Sequence, residues 1–281
     1  MTVLAQEAQT AAAPAEPRGR GFVVGRFPGF ATATLAFFVY LYAPIVLLVV
    51  FSFNAGRSAT IWSGFSLDWY LRAFANDDIQ RAALNSLTVA AIATTAATVV
   101  ATCAALASAR GGRFKGQTAA YALLMMPLVV PEIVTAVATL AFFAAIGLSL
   151  GLGNVIIAHT VFCIPFAFLP IRARLQGMDT TLEQAAQDLY ANRWQTFRHV
   201  TLPLLLPGIL SGAMLAFIIS IDDFIITLMV AEAGSTTLPL YIYGMVRMGI
   251  TPEVNAVSTV LLLVSVLFVS LSYLVGRRRW G

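Results

Sequence analysis

Charge is what this 281-residue chain has least of: 11% of its residues are Asp, Glu, Lys or Arg, against 59% hydrophobic ones and a mean hydropathy of +0.84. That apolar excess is more than a soluble domain can bury, so the chain is an integral membrane protein. Cysteine is scarce too. Cys103 and Cys163 both fall in apolar runs, without a CxxC or a Cys/His spacing, which argues for packing rather than a disulfide or a metal site. Of the two histidines, His159 lies in an apolar run and His199 in a polar insert, too far apart in depth to share a ligand. No GxxxxGK[ST] occurs, so the chain lacks a phosphate-cradling loop and carries no cofactor of its own; any ATP and Mg that drive it belong to another subunit. The first thirty residues, rich in Ala, Pro, Glu and Arg, have no apolar core of the signal-peptide kind, and residues 1–30 read as a disordered cytosolic tail.

What is present is a series of apolar runs. Six are long enough to cross roughly 30 Å of hydrocarbon at about 1.5 Å per residue: Ala31–Phe53, Ala83–Ala109, Gln117–Gly147, Asn154–Ile171, Pro207–Val230 and Val254–Val275. The expected fold is all-α, a polytopic domain of six transmembrane helices over residues 31–281. Of the 17 basic residues, all but Arg57, Arg72, Arg81 and Arg247 cluster before the first run or after the second, fourth and sixth. Positive residues are retained on the cytosolic side, so both termini are expected there.

Between the fourth and fifth runs lies EQAAQDLYANRWQTFRHVTLPLLLPGI, Glu183 to Ile209. Leu182 to Gln195 lacks Gly and Pro and follows Asp179, Thr180 and Thr181, any of which can cap a first turn, so the segment reads as a short helix. Ala185, Ala186, Leu189 and Tyr190 supply a small-residue face with larger knobs, while Glu183, Gln187 and Asp188 stay polar. Such a face suits a protein groove. A helix lying on the bilayer surface would favour a lysine-rich polar side, and this one begins acidic.

The same stretch resembles the cytosolic EAA loop of ABC-importer permeases: Glu-Ala-Ala, three residues, Gly, nine residues, then Ile-x-Leu-Pro. Gln184, Ala185 and Ala186 stand in the Glu-Ala-Ala places with Glu183 just before, and Val200, Leu202 and Pro203 close the motif. Tyr190 occupies the Gly place, which implies a changed approach to the ATPase. Asp188, Leu189 and Ala191 match the DLGA continuation of one branch. NSL at Asn85–Leu87, WSGFSLDWY at Trp62–Tyr70, SIDDFIIT at Ser220–Thr227 and the segment Thr236–Thr259 are similar to spermidine/putrescine permeases. The resemblance runs from about residue 31 to the end.

The acids inside the runs bear on the substrate independently. Ionised groups at membrane depth are costly and usually face a cavity or a partner. Three stand out: Glu132, Asp222 and Asp223. Glu132 is fifteen residues beyond Gln117 and Asp222 fifteen beyond Pro207, so both are expected about 22 Å up their spans, in one layer of the outer half. Asp222 and Asp223 are expected about 100° apart around one helix, with only one lining the path. They either satisfy local Ser, Thr or backbone groups, or form a counter-charge layer for a polycation whose methylenes rest on aromatic faces such as Phe142, Phe143, Phe162, Phe166 and Phe224. No basic residue in the spans is expected to neutralise them. Pro127 and Pro131 should kink the third span.

The resemblance implies the type I ABC-importer fold. It also implies a non-enzymatic permease subunit in a bacterial inner membrane, importing polyamines by alternating access. Implied partners are a second permease, an ATPase dimer engaged through the loop at about 177–204, and a periplasmic substrate-binding protein, with no nucleic acid. Within that class an opine, an amino-acid derivative or a thiamine-like cation remains open as substrate. A proton-coupled secondary transporter would need a proton gradient but no ATPase partner, and a membrane scaffold would need no pathway acids.

Overall fold

The computed structural model describes residues 29–58, 61–112, 115–249 and 251–278. The expected tail thus falls outside the described residues except for Gly29 and Phe30, as do Arg113 and Arg279 of the basic clusters. Contacts divide the chain into a unit ending at Leu47 and one beginning at Leu48. The first unit holds most of α1 (Phe30–Phe51), close to the expected first span.

The second unit is a helical bundle. Beyond α1 come α2 (Asp68–Ala75), α3 (Asp77–Arg110), α4 (Gln117–Val129), α5 (Glu132–Ile146), α6 (Leu152–Gln176), α7 (Thr181–Asp188) and α8 (Arg193–Thr196). A π turn (Phe197–Thr201) then leads into α9 (Leu202–Asp222), followed by α10 (Ile225–Val230), α11 (Leu238–Met248) and α12 (Pro252–Arg278). Among the described residues five helical stretches are long and apolar enough to span a membrane, and α4 with α5 makes a sixth if that bent pair counts as one.

Two expected spans are interrupted. Gln117–Gly147 is two helices that meet at 112° across Val130 and Pro131, a break rather than a kink. Pro127 sits inside α4 without breaking it; at Pro131 the extended backbone carries the turn. The fifth span is displaced as well: helix runs from Arg193 to Asp222, stops at Asp223, and resumes as the short α10.

The core is built on close approach of α3, α6 and α9. Ala97, Ala101 and Ala105 recur every turn on α3 and are wholly buried with Ala167, Phe168, Ile171 and Ala216. In a lipid-solvated protein such small residues let helices approach until backbone packs on backbone. At Gly212 a β-carbon would lie 2.5 Å from the Ala167 carbonyl oxygen, so only glycine fits this crossing.

Polar ties secure the end of the bundle opposite α7. Asn85 donates to the carbonyls of Gly234 and Thr236, both at 3.0 Å, and Ser86 accepts from the Leu238 N–H at 2.7 Å. The NSL triplet therefore anchors the segment before α11 rather than opening a helix; α3 starts six residues before the expected Ala83. Glu232 accepts from Ser149, Asn154 and the Gly151 N–H, placing a carboxylate at the N-terminus of α6, where backbone donors lack partners.

Candidate functional site

The α7 segment is where the sequence resembles a coupling loop, and its local chemistry is specific. Asp179 accepts from the Thr181 N–H at 2.9 Å, which holds its carboxyl below the usual carboxylate range and starts α7. The helix is shorter than the expected Leu182–Gln195. It ends at Asp188 in a two-bond closure: Tyr190 N–H to the Gln187 carbonyl at 2.9 Å and Ala191 N–H to the Ala186 carbonyl at 3.0 Å. This pattern places its pivotal residue in the left-handed region, where glycine is usual. That residue is Tyr190, with φ +64°, the sole positive-φ non-glycine among the described residues. The tyrosine at the motif's glycine place thus keeps the glycine conformation at a steric cost. Asn192 and Gln195 then form a reciprocal capping box that starts α8.

The faces of α7 are sorted. Leu182, Ala185, Leu189 and Tyr190 point outward, with Leu189 81% and Tyr190 98% exposed, and Trp194 adds a further exposed ring beside Phe197. Gln184 and Asp188 are also exposed, whereas Glu183, Ala186 and Ala191 turn inward and are half-buried. Ala186 therefore does not belong to the outward face with Ala185. Glu183 bridges to the Arg110 guanidinium at 3.0 Å and accepts from the Thr201 hydroxyl at 3.0 Å, tying α7 both to the end of α3 and to the foot of α9.

The connection to α9 follows from Pro203. Proline has no N–H and its ring crowds the carbonyl four residues back, so the helix widens just before it. Leu202 N–H reaches back five residues to the Phe197 carbonyl, giving the π turn, and helix then continues through Leu202 and Pro203. Helix is thereby continuous from α8 to Asp222.

At the far end of that rod the acids occupy distinct environments. Asp223 is 7% exposed and caps α10, accepting from the Ile226 and Thr227 N–H groups at 3.3 and 3.1 Å and from the Thr227 hydroxyl at 3.2 Å. His159 on α6 approaches it at 3.1 Å, and the other ring nitrogen lies 2.9 Å from Ser220 Oγ. This corrects the expectation that no basic residue in the spans reaches the acids. His159 was passed over because its α6 position shows no sequence proximity to Asp223; contact depends on the α9/α10 break. Glu132, first residue of α5 and half-buried, meets the Asp223 side chain, so the two interrupted spans join at their breaks in one layer. Asp222 points elsewhere and is exposed, with Ser265 of α12 donating to it at 3.5 Å. Since α9 ends at Asp222, a bend rather than helix azimuth separates the neighbouring acids. Of the expected aromatic faces, Phe143 and Phe162 are buried in packing, Phe224 lies tilted against Tyr243, Phe166 is partly buried against Phe162, and Phe142 is exposed.

The chain is thus a helical bundle with two interrupted spans, a short amphipathic loop helix, and one buried and one half-buried acid at the breaks. Solved structures share the fold. Over 88% of this chain and 93% of theirs, the fold matches a chain of a bacterial ABC transporter involved in import of the acidic polysaccharide alginate, with TM-score 0.68 and 17% identity. It also matches a chain of the MetNI methionine ABC transporter over 70% of this chain and 94% of that one, with TM-score 0.60 and 22% identity. Residues 101–280 match the family described as "Binding-protein-dependent transport system inner membrane component". The chain belongs to that family and is a permease subunit of ABC-type transport. Among curated relatives, it is 42% identical to the spermidine/putrescine transport system permease protein PotC of Haemophilus influenzae, over 86% of this chain and 93% of that one. It is 37% identical to the putrescine transport system permease protein PotI of Escherichia coli K12, over 85% and 87%.

Proposed function

We propose that this chain is half of the translocation pathway of an ATP-driven polyamine importer, with both termini and the 177–204 loop in the cytosol of a bacterium. A second permease completes the pathway, an ATPase dimer binds ATP and Mg and docks on α7, and a periplasmic binding protein delivers putrescine or spermidine. The chain itself neither binds nor hydrolyses nucleotide. The observation that carries the substrate reading is the placement of Glu132 at the first residue of α5 and Asp222 at the last residue of α9, one at each helix break and neither in an ion pair among the described residues. Its relatives' named substrates agree with it.

In this mechanism Leu182, Ala185, Leu189 and Tyr190 engage the ATPase, while Glu183 and the continuous Arg193–Asp222 helix pass its closure to the acid layer. His159 holds Asp223 in place, leaving Glu132 and Asp222 to meet passing ammonium groups. Interrupted helices suit this role because their freed backbone groups can line a cavity. The test is ATPase stimulation of the purified complex by a panel of loaded binding proteins. Stimulation by polyamine-loaded protein is expected; stimulation only by proteins loaded with opines, amino acids or thiamine-like cations would overturn the substrate assignment, and nucleotide binding by the isolated chain would overturn the division of labour.

A further inference from the structure

A cavity of about 330 Å³ opens between the ends of α3, α4 and α6 nearest α7. Its lining is graded with depth. The residues nearest the helix ends are polar: Ser108 two residues from the end of α3, Gln117 at the start of α4, and Arg172 four residues from the end of α6. One to two turns deeper the wall is apolar, formed by Ala104, Leu124 and Phe168. At about 1.5 Å per residue the change occurs within roughly 5–10 Å of the helix ends, the depth at which headgroup gives way to acyl chain.

Arg172 makes the cavity selective. Its guanidinium stacks over Tyr121 at 4.6 Å and lies 5.8 Å from Phe168, yet among the described residues it forms no hydrogen bond and no ion pair. A half-buried guanidinium fixed by rings, with all its donors unspent, is a receptor for a planar or tetrahedral oxyanion. The same charge repels a polyamine, so the cavity is no part of the cation's route.

We propose that this cavity binds the headgroup of an anionic phospholipid from the inner leaflet, its phosphate on Arg172 beside Gln117 and its first methylenes over Leu124 and Phe168. Basic pockets between helices on the cytosolic side hold anionic headgroups in this way. The assignment of the leaflet rests on the orientation given above. Because α3 ends in Arg110, which pairs with Glu183 of α7, and α6 leads directly into α7, a lipid seated there braces the base from which the coupling helix projects.

The experiment uses the whole complex, delipidated in detergent and re-equilibrated with phosphatidylglycerol or phosphatidylcholine, with retained lipid counted by native mass spectrometry. The parent is expected to retain phosphatidylglycerol preferentially. Arg172→Gln should bind it about ten-fold more weakly, and Ala107→Trp, which fills the cavity from an exposed position, should abolish retention without altering assembly. Equal retention by parent and both variants overturns the proposal. Loss of retained phosphatidylglycerol to millimolar inorganic phosphate overturns the lipid source in favour of a soluble phosphate. The leaflet is checked separately: with Cys103→Ala as background, Gln117→Cys should react with an impermeant maleimide only in inside-out vesicles. Labelling only in right-side-out vesicles sinks the orientation while leaving the retention result standing.

Discussion

His159 Nε2 lies 3.1 Å from Asp223 Oδ2, joining the N-terminal half of α6 to the residue at which α9 gives way to α10. Both side chains are almost wholly buried, and each has further partners: Ser220 and Thr227 for the ring, two backbone N–H groups and a hydroxyl for the carboxyl. A buried acid so thoroughly satisfied is a structural fixture, and it holds the break at which Glu132 also arrives.

Removing the imidazole deprives that acid of its one basic partner among the described residues. His159→Ala should cost about 3 kcal/mol, because one member of a buried pair is lost while the other stays in place. A fall in the thermal midpoint of the detergent-solubilised complex, larger than that of Asp222→Asn, is the expected observation; equal midpoints would show the pair contributes little.

Tyr190 gives an opposite case. Its left-handed backbone strains any residue with a β-carbon by about 1–2 kcal/mol, so Tyr190→Gly should stabilise the end of α7 and Tyr190→Val should loosen it. Hydrogen exchange across 181–196 in the intact complex reads this directly: slower exchange for the glycine variant, faster for the valine. The reverse order would mean that the exposed ring, not the backbone, governs the turn.

Coupling should be sensitive to charge on the outward face and to the bridge behind it. Leu189→Asp places a charge where the ATPase docks and is expected to abolish substrate-stimulated ATPase activity while binding-protein docking persists. Glu183→Ala removes a partly exposed pair of modest strength, about 0.5–1 kcal/mol, yet should weaken stimulation by cutting α7 from Arg110 and Thr201. Full stimulation in both variants would return α7 to a role at the membrane surface.

Much of this arrangement was legible in the chain. The apolar runs located α1, α3, α6 and α12, since length and composition alone decide what a bilayer accepts. The polar insert and its proline located α7 and its link to α9. Backbone breaks were harder. Pro131 announced a disturbance but not its size of 112°. Nothing in SIDDFIIT marks Asp223 as the end of a helix except its capacity to cap the next one, and Asp222 before it reads the same. His159 and Glu232 were missed because their partners lie 64 and 78–83 residues away, and pairing over such distances leaves no periodic trace.

Gly212 supplies a packing control unrelated to charge. Gly212→Ala drives a methyl group to 2.5 Å from the Ala167 carbonyl oxygen, so α6 and α9 must separate, at about 1–3 kcal/mol. Lower yield of assembled complex is expected, with uptake per assembled complex also reduced because the rod to Asp222 is displaced. Normal yield and uptake would show that the crossing tolerates separation.

The central claim is that Glu132 and Asp222 serve a passing cation while Asp223 serves the fold. It is tested most directly by uptake of radiolabelled putrescine and spermidine into vesicles holding the whole complex at fixed expression, comparing Glu132→Gln, Asp222→Asn and Asp223→Asn with the parent. Loss of one ammonium–carboxylate contact is worth about 1.5–3 kcal/mol, so the first two variants should transport roughly ten- to a hundred-fold less efficiently with basal ATPase activity intact. Asp223→Asn should instead reduce the amount of stable complex. Uptake at the parent level by both Glu132→Gln and Asp222→Asn would contradict the account and leave these carboxylates as structural groups.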